Sequence, residues 1–405
     1  MTAESTKFRR IKRRYRMKVI VVGAGINGVT AAIELKKRGH EVVIVDPGPL
    51  PHPLAASTDI SKAVRAAYGP DEDYAELAER SVELWRKWNK DFGTDLYHET
   101  GALLLRRRPM QPGDFEFESC KVFEKRGHKF ERIDSKKLRE RFPAFNPKAF
   151  EDGFFDPAAG YVESGRVVAT LIGRAKSLGI ELRERAKFVA LDEGDDCIQG
   201  VALEDRQRIA GDAVVMAVGA WTPYLLPFTK EFFRATGHPV LHFKPDDPEL
   251  FWPERFPFFG ADISMTGFYG FPLSQGVVKI ANHGPGREMS PDSADRVVRP
   301  EDEQEARAFL RSTIPALANA PIVYTRLCMY CDTRDGDFWI APDPDRRGLI
   351  IATGDSGHGF KFAPVLGEIV ADAVENKSNP LLHKFRWRPE VRAGEMKEAA
   401  RFRGE

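Results

Sequence analysis

Cysteine is scarce in this chain, with four among 405 residues: Cys120, Cys197, Cys328 and Cys331. Four cysteines in so long a chain do not make a disulfide framework, so they favour a protein of the reducing cytoplasm. The sequence also lacks any run of 18 or more apolar residues, and neither a transmembrane helix nor a membrane partner is predicted. Basic and acidic residues are nearly balanced, at 61 and 60. This balance gives no reason to expect nucleic acid as a partner.

The composition is that of a globular protein, with 42% apolar and 30% charged residues. A chain of this length predicts two or three domains, or one large two-lobed enzyme. Residues 1–16 are rich in Lys and Arg and are predicted to form a disordered basic tail. An organellar presequence and a surface-binding arm remain alternatives. A secretory signal is disfavoured, because the apolar run at 19–22 leads into a glycine motif rather than a cleavage site.

Residues 18–46 have the pattern of a strand, a tight turn, a helix and a second strand. The run at 18–22 is apolar and β-branched, and residues 26–38 carry apolar side chains at helical spacing before Gly39. Residues 41–45 are again β-branched and apolar. This segment predicts one βαβ unit.

Three glycines lie in the turn of this unit, in the order G-x-G-x-x-G. Gly23 permits the tight turn, Gly25 lets the backbone approach a pyrophosphate, and Gly28 allows close packing of helix and strand. The N–H groups at the start of the helix would face the phosphates. Asp46 ends the second strand, where an acid can bind a ribose hydroxyl. The motif predicts a dinucleotide site and disfavours NADP, but it leaves NAD and FAD open.

Further elements follow along the chain. Three short apolar strands end near residues 22, 218 and 353, each followed by a glycine, and the simplest arrangement joins them in one parallel sheet with other segments inserted as a second lobe. Residues 101–105 alternate in a way that favours an antiparallel sheet. Helices are predicted at the start of 57–68, with Ser57, Thr58 and Asp59 as candidate caps, and at 73–91, 163–178, 300–310 and 364–375.

Two segments of the C-terminal half, CMYCDT at 328–333 and ATGDSGHGFK at 352–361, resemble the monomeric sarcosine oxidase family of flavoenzymes. Fructosyl amino acid oxidases belong to the same family, within the D-amino-acid oxidase-like superfamily. The resemblance covers most of the chain in the expected order, and it extends to segments 57–68, 161–163, 217–221 and 269–283. Because several motifs fall in register, it is more specific than the glycine fingerprint.

The resemblance implies an α/β fold with a β-rich lobe: a Rossmann-like FAD-binding domain with an inserted antiparallel-sheet substrate domain, and the flavin at their junction. The expected FAD-binding domain is discontinuous and comprises 17–95, 150–224 and 326–390. The expected substrate domain comprises 96–149 and 225–325. Residues 391–405 are expected to form a C-terminal tail.

The resemblance also implies roles for individual residues. Cys328 matches a cysteine bonded covalently to the flavin 8α carbon, and Lys279 a lysine that activates oxygen. Lys361 and Arg65 match the pair that holds the substrate carboxylate. The remaining catalytic candidates are Tyr269 and His283, which match residues lining the substrate pocket. The expected cofactor-binding residues are Gly23, Gly25, Gly28, Asp46, Ser57, Lys62, Gly219, Trp221, Cys328, Gly357, His358, Gly359 and Lys361; no metal ligands are expected.

Two departures from the family pattern concern the substrate rather than the chemistry. Lys62 replaces an arginine of the sarcosine oxidases, which keeps the charge but loses the planar fork. Asp355 resembles the fructosyl amino acid oxidases instead.

The implied function is oxidation of the C–N bond of an N-substituted amino acid by an FAD-dependent oxidase. The product is an imine that hydrolyses, and O2 is reduced to H2O2. The expected enzyme is a monomer acting on a small amino acid; sarcosine-like, fructosyl, saccharopine-like and pipecolate-like substrates compete. A flavin dehydrogenase with another electron acceptor is the alternative, and a NAD-binding or non-catalytic protein is a third hypothesis.

Read from the residues alone, several candidates also have a purely structural interpretation. Lys279 lies in an apolar strand, where an inward cation usually marks function, but alternation also allows it to face solvent. Cys328 and Cys331 would be two packed cysteines, since a zinc site needs a second ligand pair. His283 and His358 could each be a hydrogen-bonded structural residue.

Overall fold

The chain contains both helices and strands, with runs of consecutive strands in its second half. The computed structural model describes residues 16–391 and 398–402. Its helices are α1 Ile26–Lys37, α2 Glu72–Phe92, α3 Phe115–Arg126, α4 Ser135–Arg141, α5 Ser164–Ser177, α6 Thr222–Leu225, α7 Ile263–Thr266, α8 Pro300–Thr313, α9 Ala363–Val374 and α10 Pro380–Lys384. Its strands are β1 Lys18–Val22, β2 Glu41–Val45, β3 Lys62–Val64, β4 Tyr97–His98, β5 Ala102–Arg106, β6 Glu131–Arg132, β7 Asp152–Asp156, β8 Gly160–Val162, β9 Glu181–Arg183, β10 Phe188–Glu193, β11 Ile198–Leu203, β12 Arg208–Ala210, β13 Ala213–Met216, β14 Phe233–Phe243, β15 Phe258–Ala261, β16 Phe268–Gly270, β17 Val278–Asn282, β18 Arg287–Glu288, β19 Ile322–Thr333, β20 Trp339–Pro342 and β21 Leu349–Thr353.

A six-stranded sheet forms the centre of the first lobe, in the order β20-β21-β13-β1-β2-β9. All neighbours in it are parallel except β20 and β21. The apolar strand β1 is buried along Val19–Val22, as expected for a parallel strand covered on both faces. Helix α1 packs on this sheet and contacts α9, where Gly367 lies against the backbone of Thr30. The prediction that three distant strands share one parallel sheet is confirmed.

A nine-stranded sheet forms the second lobe, in the order β18-β14-β17-β16-β15-β5-β7-β6, with β19 also paired to β14. It is antiparallel except for the pair β5–β15, so β5 has an antiparallel neighbour only in β7. Strands β14 and β19 pair from Phe233 and Thr333 to Phe243 and Ile322. One face packs on a core that is rich in phenylalanine, including Phe142, Phe145, Phe150, Phe251, Phe256 and Phe259.

Two three-stranded sheets complete the fold, β10-β11-β12 and β3-β8-β4. The helices predicted at 73–91, 163–178, 300–310 and 364–375 are confirmed as α2, α5, α8 and α9. The prediction of a helix beginning in 57–68 is wrong, because that segment forms a turn and bends followed by β3. Its candidate caps serve distant partners: Ser57 Oγ accepts a hydrogen bond from the N–H of Ile26, and the Asp59 carboxylate pairs with Lys279.

The lobe limits differ from those expected at 150 and 326. Backbone hydrogen bonds place β7 in the nine-stranded sheet beside β5, and β19 beside β14 along its whole length. Cys328 therefore lies on a strand of the second lobe. Nearly all of the expected basic tail lies outside the described residues. Within the expected C-terminal tail, residues 398–402 pack against the protein, with Ala400 only 1% exposed.

The helices of the described chain include none that is both long enough and apolar enough to cross a membrane.

Close packing at the first turn of α1 makes a specific stability prediction. A Cβ on Gly28 would overlap the carbonyl oxygen of Gly23, so Gly28→Ala is expected to destabilise the protein by about 1–3 kcal/mol. Gly173 on α5 is the matched control, because its Cβ would meet nothing within 4 Å, and Gly173→Ala should be neutral or stabilising by up to about 1 kcal/mol. Thermal unfolding of the two variants measures the difference. Equal unfolding temperatures would show that this turn does not require glycine.

Candidate functional site

A cavity of about 370 Å³ opens where the parallel strands of the first lobe end. In an open α/β sheet, ligands bind beyond the carboxyl ends of the strands. Of the residues that the sequence predicts to bind a cofactor, this cavity is lined by Gly23, Gly25, Asp46, Ser57, Lys62, Gly219, Trp221, Gly357 and Gly359. The structure thus brings together residues from five separate stretches of the chain.

The turn between β1 and α1 shows why two of its glycines differ in role. Gly23 has a φ of +98°, and a Cβ there would lie 2.5 Å from the carbonyl oxygen of Ala217. At Gly25 the nearest neighbour of a Cβ would be Ser57 Oγ, at an ordinary 3.5 Å. The space in front of Gly25 is therefore cavity rather than protein. The absence of a side chain there fits the close approach of a pyrophosphate.

The first turn of α1 and the end of β2 provide the polar groups of this cavity. The first turn of α1 carries no acidic side chain, so the positive end of the helix dipole faces the cavity unopposed from its own turn. The Asp46 carboxylate accepts hydrogen bonds from the N–H of Ala24 at 2.8 Å and of Gly48 at 3.0 Å. These bonds orient it while leaving lone pairs for a ribose hydroxyl. The residues present fit a dinucleotide.

Asp355 also lines this cavity. Its two carboxylate oxygens accept hydrogen bonds from Asn27 Nδ2 at 2.9 and 3.1 Å. Burial raises the pKa of Asp355 to about 6. Asp355, at which the sequence departs from the sarcosine oxidases, thus joins the loop after β21 to the first turn of α1.

A second cavity of about 60 Å³ adjoins the first and shares Lys62, Tyr330, Gly357 and Phe360 with it. The sequence-predicted residues that line it are Lys62, Arg65, Tyr269, His283, Gly357, His358 and Lys361. Within the described chain, Gly28, Lys279 and Cys328 line neither cavity and are packed behind them. The substrate candidates therefore meet at the lobe junction, on the inner side of the dinucleotide cavity.

Two lining residues of the small cavity, Lys361 and His358, are joined by buried hydrogen bonds through Tyr68. Lys361 Nζ donates to the hydroxyl of Tyr68 at 2.8 Å, and that hydroxyl lies 3.1 Å from His358 Nδ1. His358 Nε2 lies 3.0 Å from the carbonyl oxygen of Gly336, so it carries the proton and Nδ1 accepts. Burial lowers the pKa of His358 to about 3 and that of Lys361 well below its ordinary value. His358 is therefore a neutral ring, hydrogen-bonded on one side to Tyr68 and on the other to the backbone.

Arg65 lies beside these hydrogen-bonded side chains and is 5% exposed. Its guanidinium lies 4.9 Å from the centre of the Tyr68 ring, and Nη1 donates to the carbonyl oxygen of Ala67. The Nη2 atom is 3.7 Å from Oε1 of Glu398. The same glutamate carboxylate lies 2.9 Å from His283 Nε2. Arg65 and His283 therefore both face the small cavity.

Lys279 on β17 is 1% exposed, so it does not face solvent. Its Nζ donates to Asp59 Oδ2 at 2.5 Å and to the carbonyl oxygen of Ser61 at 2.7 Å. Burial lowers the pKa of Lys279 to about 8, and Asp59 opposes that shift. Burial also works to raise the pKa of Asp59, but Lys279 holds it well below its usual range. The pair is a buried ion pair next to both cavities.

Lys62 connects this pair to Cys328. Its Nζ lies 3.7 Å from Cys328 Sγ and 3.8 Å from Asp59 Oδ2. Cys328 is buried, among Val240, Ala281 and Tyr330. Because neighbours on a strand point to opposite faces, Cys331 lies on the other side of β19, in the core of the first lobe. Burial raises the pKa of the Cys331 thiol to about 12, which marks it as a packed residue.

The remaining predicted residue, Tyr269, lies with its hydroxyl 3.4 Å from that of Tyr330. The Tyr330 ring stacks on His238 with a centroid distance of 3.8 Å. Five residues around the site have no functional role in the sequence prediction: Asp59, Tyr68, Tyr330, Glu398 and Arg401. The first three lie inside segments that carry the family resemblance, which is a usable signal. The last two lie in a segment whose composition gives none.

Comparison with known proteins supports the dinucleotide cofactor that this geometry indicates. A family model described as FAD dependent oxidoreductase matches residues 18–373. The chain is 30% identical over 368 residues to a monomeric sarcosine oxidase of Streptomyces avermitilis, covering 87% of this chain and 92% of that protein. It is 30% identical over 371 residues to an N-methyl-L-tryptophan oxidase of Escherichia coli, covering 89% and 95%.

The fold is similar to that of the fructosamine oxidase Amadoriase II of Aspergillus fumigatus. The TM-score is 0.82 at 24% identity, covering 96% of this chain and 94% of the other. A likeness at this level of identity establishes the fold. The family match covers the six-stranded sheet, the nine-stranded sheet and the residues of both cavities. The chain therefore belongs to the family of FAD-dependent oxidoreductases.

Proposed function

We propose that the protein is an FAD-dependent oxidase that converts the C–N bond of an N-substituted amino acid to an imine, which hydrolyses, with reduction of O2 to H2O2. The observation that carries the proposal is that Arg65 and Lys361 meet in one buried cavity directly beside the dinucleotide cavity. When bound, FAD supplies the acceptor for a hydride equivalent from the carbon next to nitrogen. The relatives named for sarcosine and N-methyl-L-tryptophan support this substrate class. A monomer is the simplest assembly for the reaction.

The substrate carboxylate is assigned to Arg65 and Lys361. Two cations in a buried cavity are costly unless an anion accompanies them. The lowered pKa of Lys361, caused by burial and by Arg65, shows that cost. A carboxylate placed between them would favour the charged form of Lys361. Tyr269 and His283 line the same cavity and would orient the amine.

The covalent link to the cofactor is assigned to Cys328. Lys62 lines both cavities and lies 3.7 Å from Cys328 Sγ, so the thiol is one side chain away from the junction where the flavin is expected. A covalent link to the flavin requires the sulfur of this side chain as the nucleophile.

Lys279 is assigned to the oxygen half of the reaction. Reduction of O2 creates negative charge, and a cation held in a dry site can stabilise it. One observation favours the dehydrogenase alternative: Asp59 lies 2.5 Å from Lys279 Nζ and partly cancels its charge. The separate rates of flavin reduction and reoxidation decide between the two.

The first test concerns the covalent link. Denatured wild-type protein should retain a yellow chromophore, and its mass should exceed that of the polypeptide by one FAD. The variant Cys328→Ser should release its flavin on denaturation. Cys331→Ser is the matched control and should keep it, because that thiol faces the core of the first lobe. Complete loss of flavin from denatured wild-type protein would contradict the assignment.

The second test concerns the carboxylate pair. Arg65→Gln and Lys361→Met should each lower kcat/KM for an N-methyl amino acid by about 30-fold or more, the consequence of removing one partner of a buried charge pair. Lys377→Met is the control, because Lys377 pairs with Glu375 at the surface. With an amine that has no carboxylate, the same variants should lose much less. Equal losses with both substrates would show that the pair does not bind a carboxylate.

The third test separates the two half-reactions. Lys279→Met should leave anaerobic reduction by substrate largely intact and slow reoxidation by O2 about 100- to 1,000-fold. In the wild type, Lys279 carries its proton below a pKa of about 8 and loses it above. Reoxidation should therefore slow as the pH rises through 8, and this dependence should be absent in Lys279→Met.

Asp59→Asn provides the companion measurement. Because Asp59 raises the pKa of Lys279, its neutralisation should move the decline in reoxidation to lower pH. Reoxidation of Lys279→Met at the wild-type rate would favour the dehydrogenase.

A further inference from the structure

The chain segment 398–402 packs behind the small cavity, where Glu398 contacts two of its lining residues, His283 and Arg65. The side chain of Glu398 is buried and only 4% exposed. Its Oε2 lies 2.9 Å from His283 Nε2, and its Oε1 lies 3.7 Å from Arg65 Nη2. The protein thus places a carboxylate of its own beside the cations that the proposed function assigns to the substrate carboxylate.

The charges around Glu398 are those of an anion-binding subsite. Burial works to raise the pKa of Glu398, but the hydrogen bond with His283 and the charge of Arg65 hold it well below its usual range. In the other direction, the Glu398 charge raises the pKa of Lys361 against the effects of burial and Arg65. Glu398 therefore carries a negative charge that partly neutralises the Arg65–Lys361 pair.

The contact between Glu398 and Arg65 is not a hydrogen bond. Oε1 of Glu398 is buried, and among the described residues it has no hydrogen-bond partner. Arg65 directs Nη1 to the carbonyl oxygen of Ala67 instead, and the separation of 3.7 Å from Nη2 exceeds a hydrogen bond. Arg65 can therefore still bind a better-placed carboxylate, but only against the repulsion from Glu398.

The position of Glu398 is fixed by the residues that follow it. Arg401 Nη2 donates to Asp332 Oδ2 at 2.9 Å, and Nη1 donates to the carbonyl oxygen of Ser356 at 3.3 Å. Its guanidinium lies 5.3 Å from the centre of the Tyr330 ring. Because the charge of Arg401 is paired with Asp332, Arg401 does not neutralise Glu398. The Glu398 carboxylate therefore acts on Arg65 and Lys361.

We propose that Glu398 is a specificity-determining residue: its carboxylate competes with ligand carboxylates for Arg65 and Lys361, and the pocket binds simple monocarboxylates more weakly than these two cations alone would. This inference rests on the assignment of Arg65 and Lys361 as the carboxylate subsite. It concerns the strength and selectivity of binding, and the redox chemistry is unaffected.

Acetate binding to the flavin-loaded protein tests the inference without turnover, by the change in flavin absorbance. Glu398→Gln removes one charge about 4 Å from Arg65 and keeps the shape, so the Kd for acetate should fall about tenfold or more. Glu390→Gln is the matched control, because Glu390 pairs with Arg386 at the surface, and it should bind acetate as the wild type does. In an Arg65→Gln background the gain from Glu398→Gln should disappear.

Acetate binding by Glu398→Gln that is equal to or weaker than in the wild type, with unchanged flavin content and unfolding temperature, would overturn the inference. Where Glu398→Gln is not obtained folded, Glu398→Ala serves, because it removes the same charge and the same gain is expected. The outcome is separable from the proposed function. A gain in acetate binding without oxidation of any amine would refute the oxidase alone, and oxidation without that gain would refute the role of Glu398 alone.

Discussion

The ion pair between Lys279 and Asp59 is the interaction on which the arrangement at the lobe junction depends. Lys279 belongs to the nine-stranded sheet, and Asp59 to the segment that follows β2 of the six-stranded sheet. Each charge would be costly alone in so buried a place, and removal of one partner of such a pair typically costs about 3–5 kcal/mol. Lys62 and His242 also lie within 4 Å of the Asp59 carboxylate. Opposite charges from the two lobes thus stabilise one another at the junction.

The two cavities are adjacent because of how β19 and the loop after β21 meet. Tyr330 on β19 lines both cavities, and Gly357 faces its ring closely with a φ of +80°. A side chain at Gly357 would occupy the space of that ring. The alternation of β19 then directs Cys328 towards Lys62 and Cys331 into the first lobe. Strand β19 therefore supplies one residue to the lobe junction and a second residue to the core of the first lobe.

The sequence allowed the βαβ unit, the parallel sheet and most long helices to be predicted, because their signals are local: periodicity, caps and glycine spacing. The helix at 57–68 failed because Ser57 and Asp59 form tertiary contacts, with Ile26 and Lys279, that no local pattern shows. The sequence also brought Arg65, Lys361 and Tyr269 into one proposed site, and they do line one cavity. Glu398 could not be foreseen, since its partners Arg65 and His283 lie far away in the sequence and its own segment has only the composition of a charged tail.

The anchoring of residues 398–402 by Asp332 and Ser356 has a consequence for the order in which the protein is assembled. Domains generally fold as units during synthesis, at about 5–20 residues per second. Both sheets end before residue 354, so the two lobes can be complete while the residues around 400 are still to be added. Arg65 and Lys361 are then first present without the negative charge of Glu398. In that interval a small anion from the surroundings binds to these cations more readily, and the arrival of Glu398 weakens its binding.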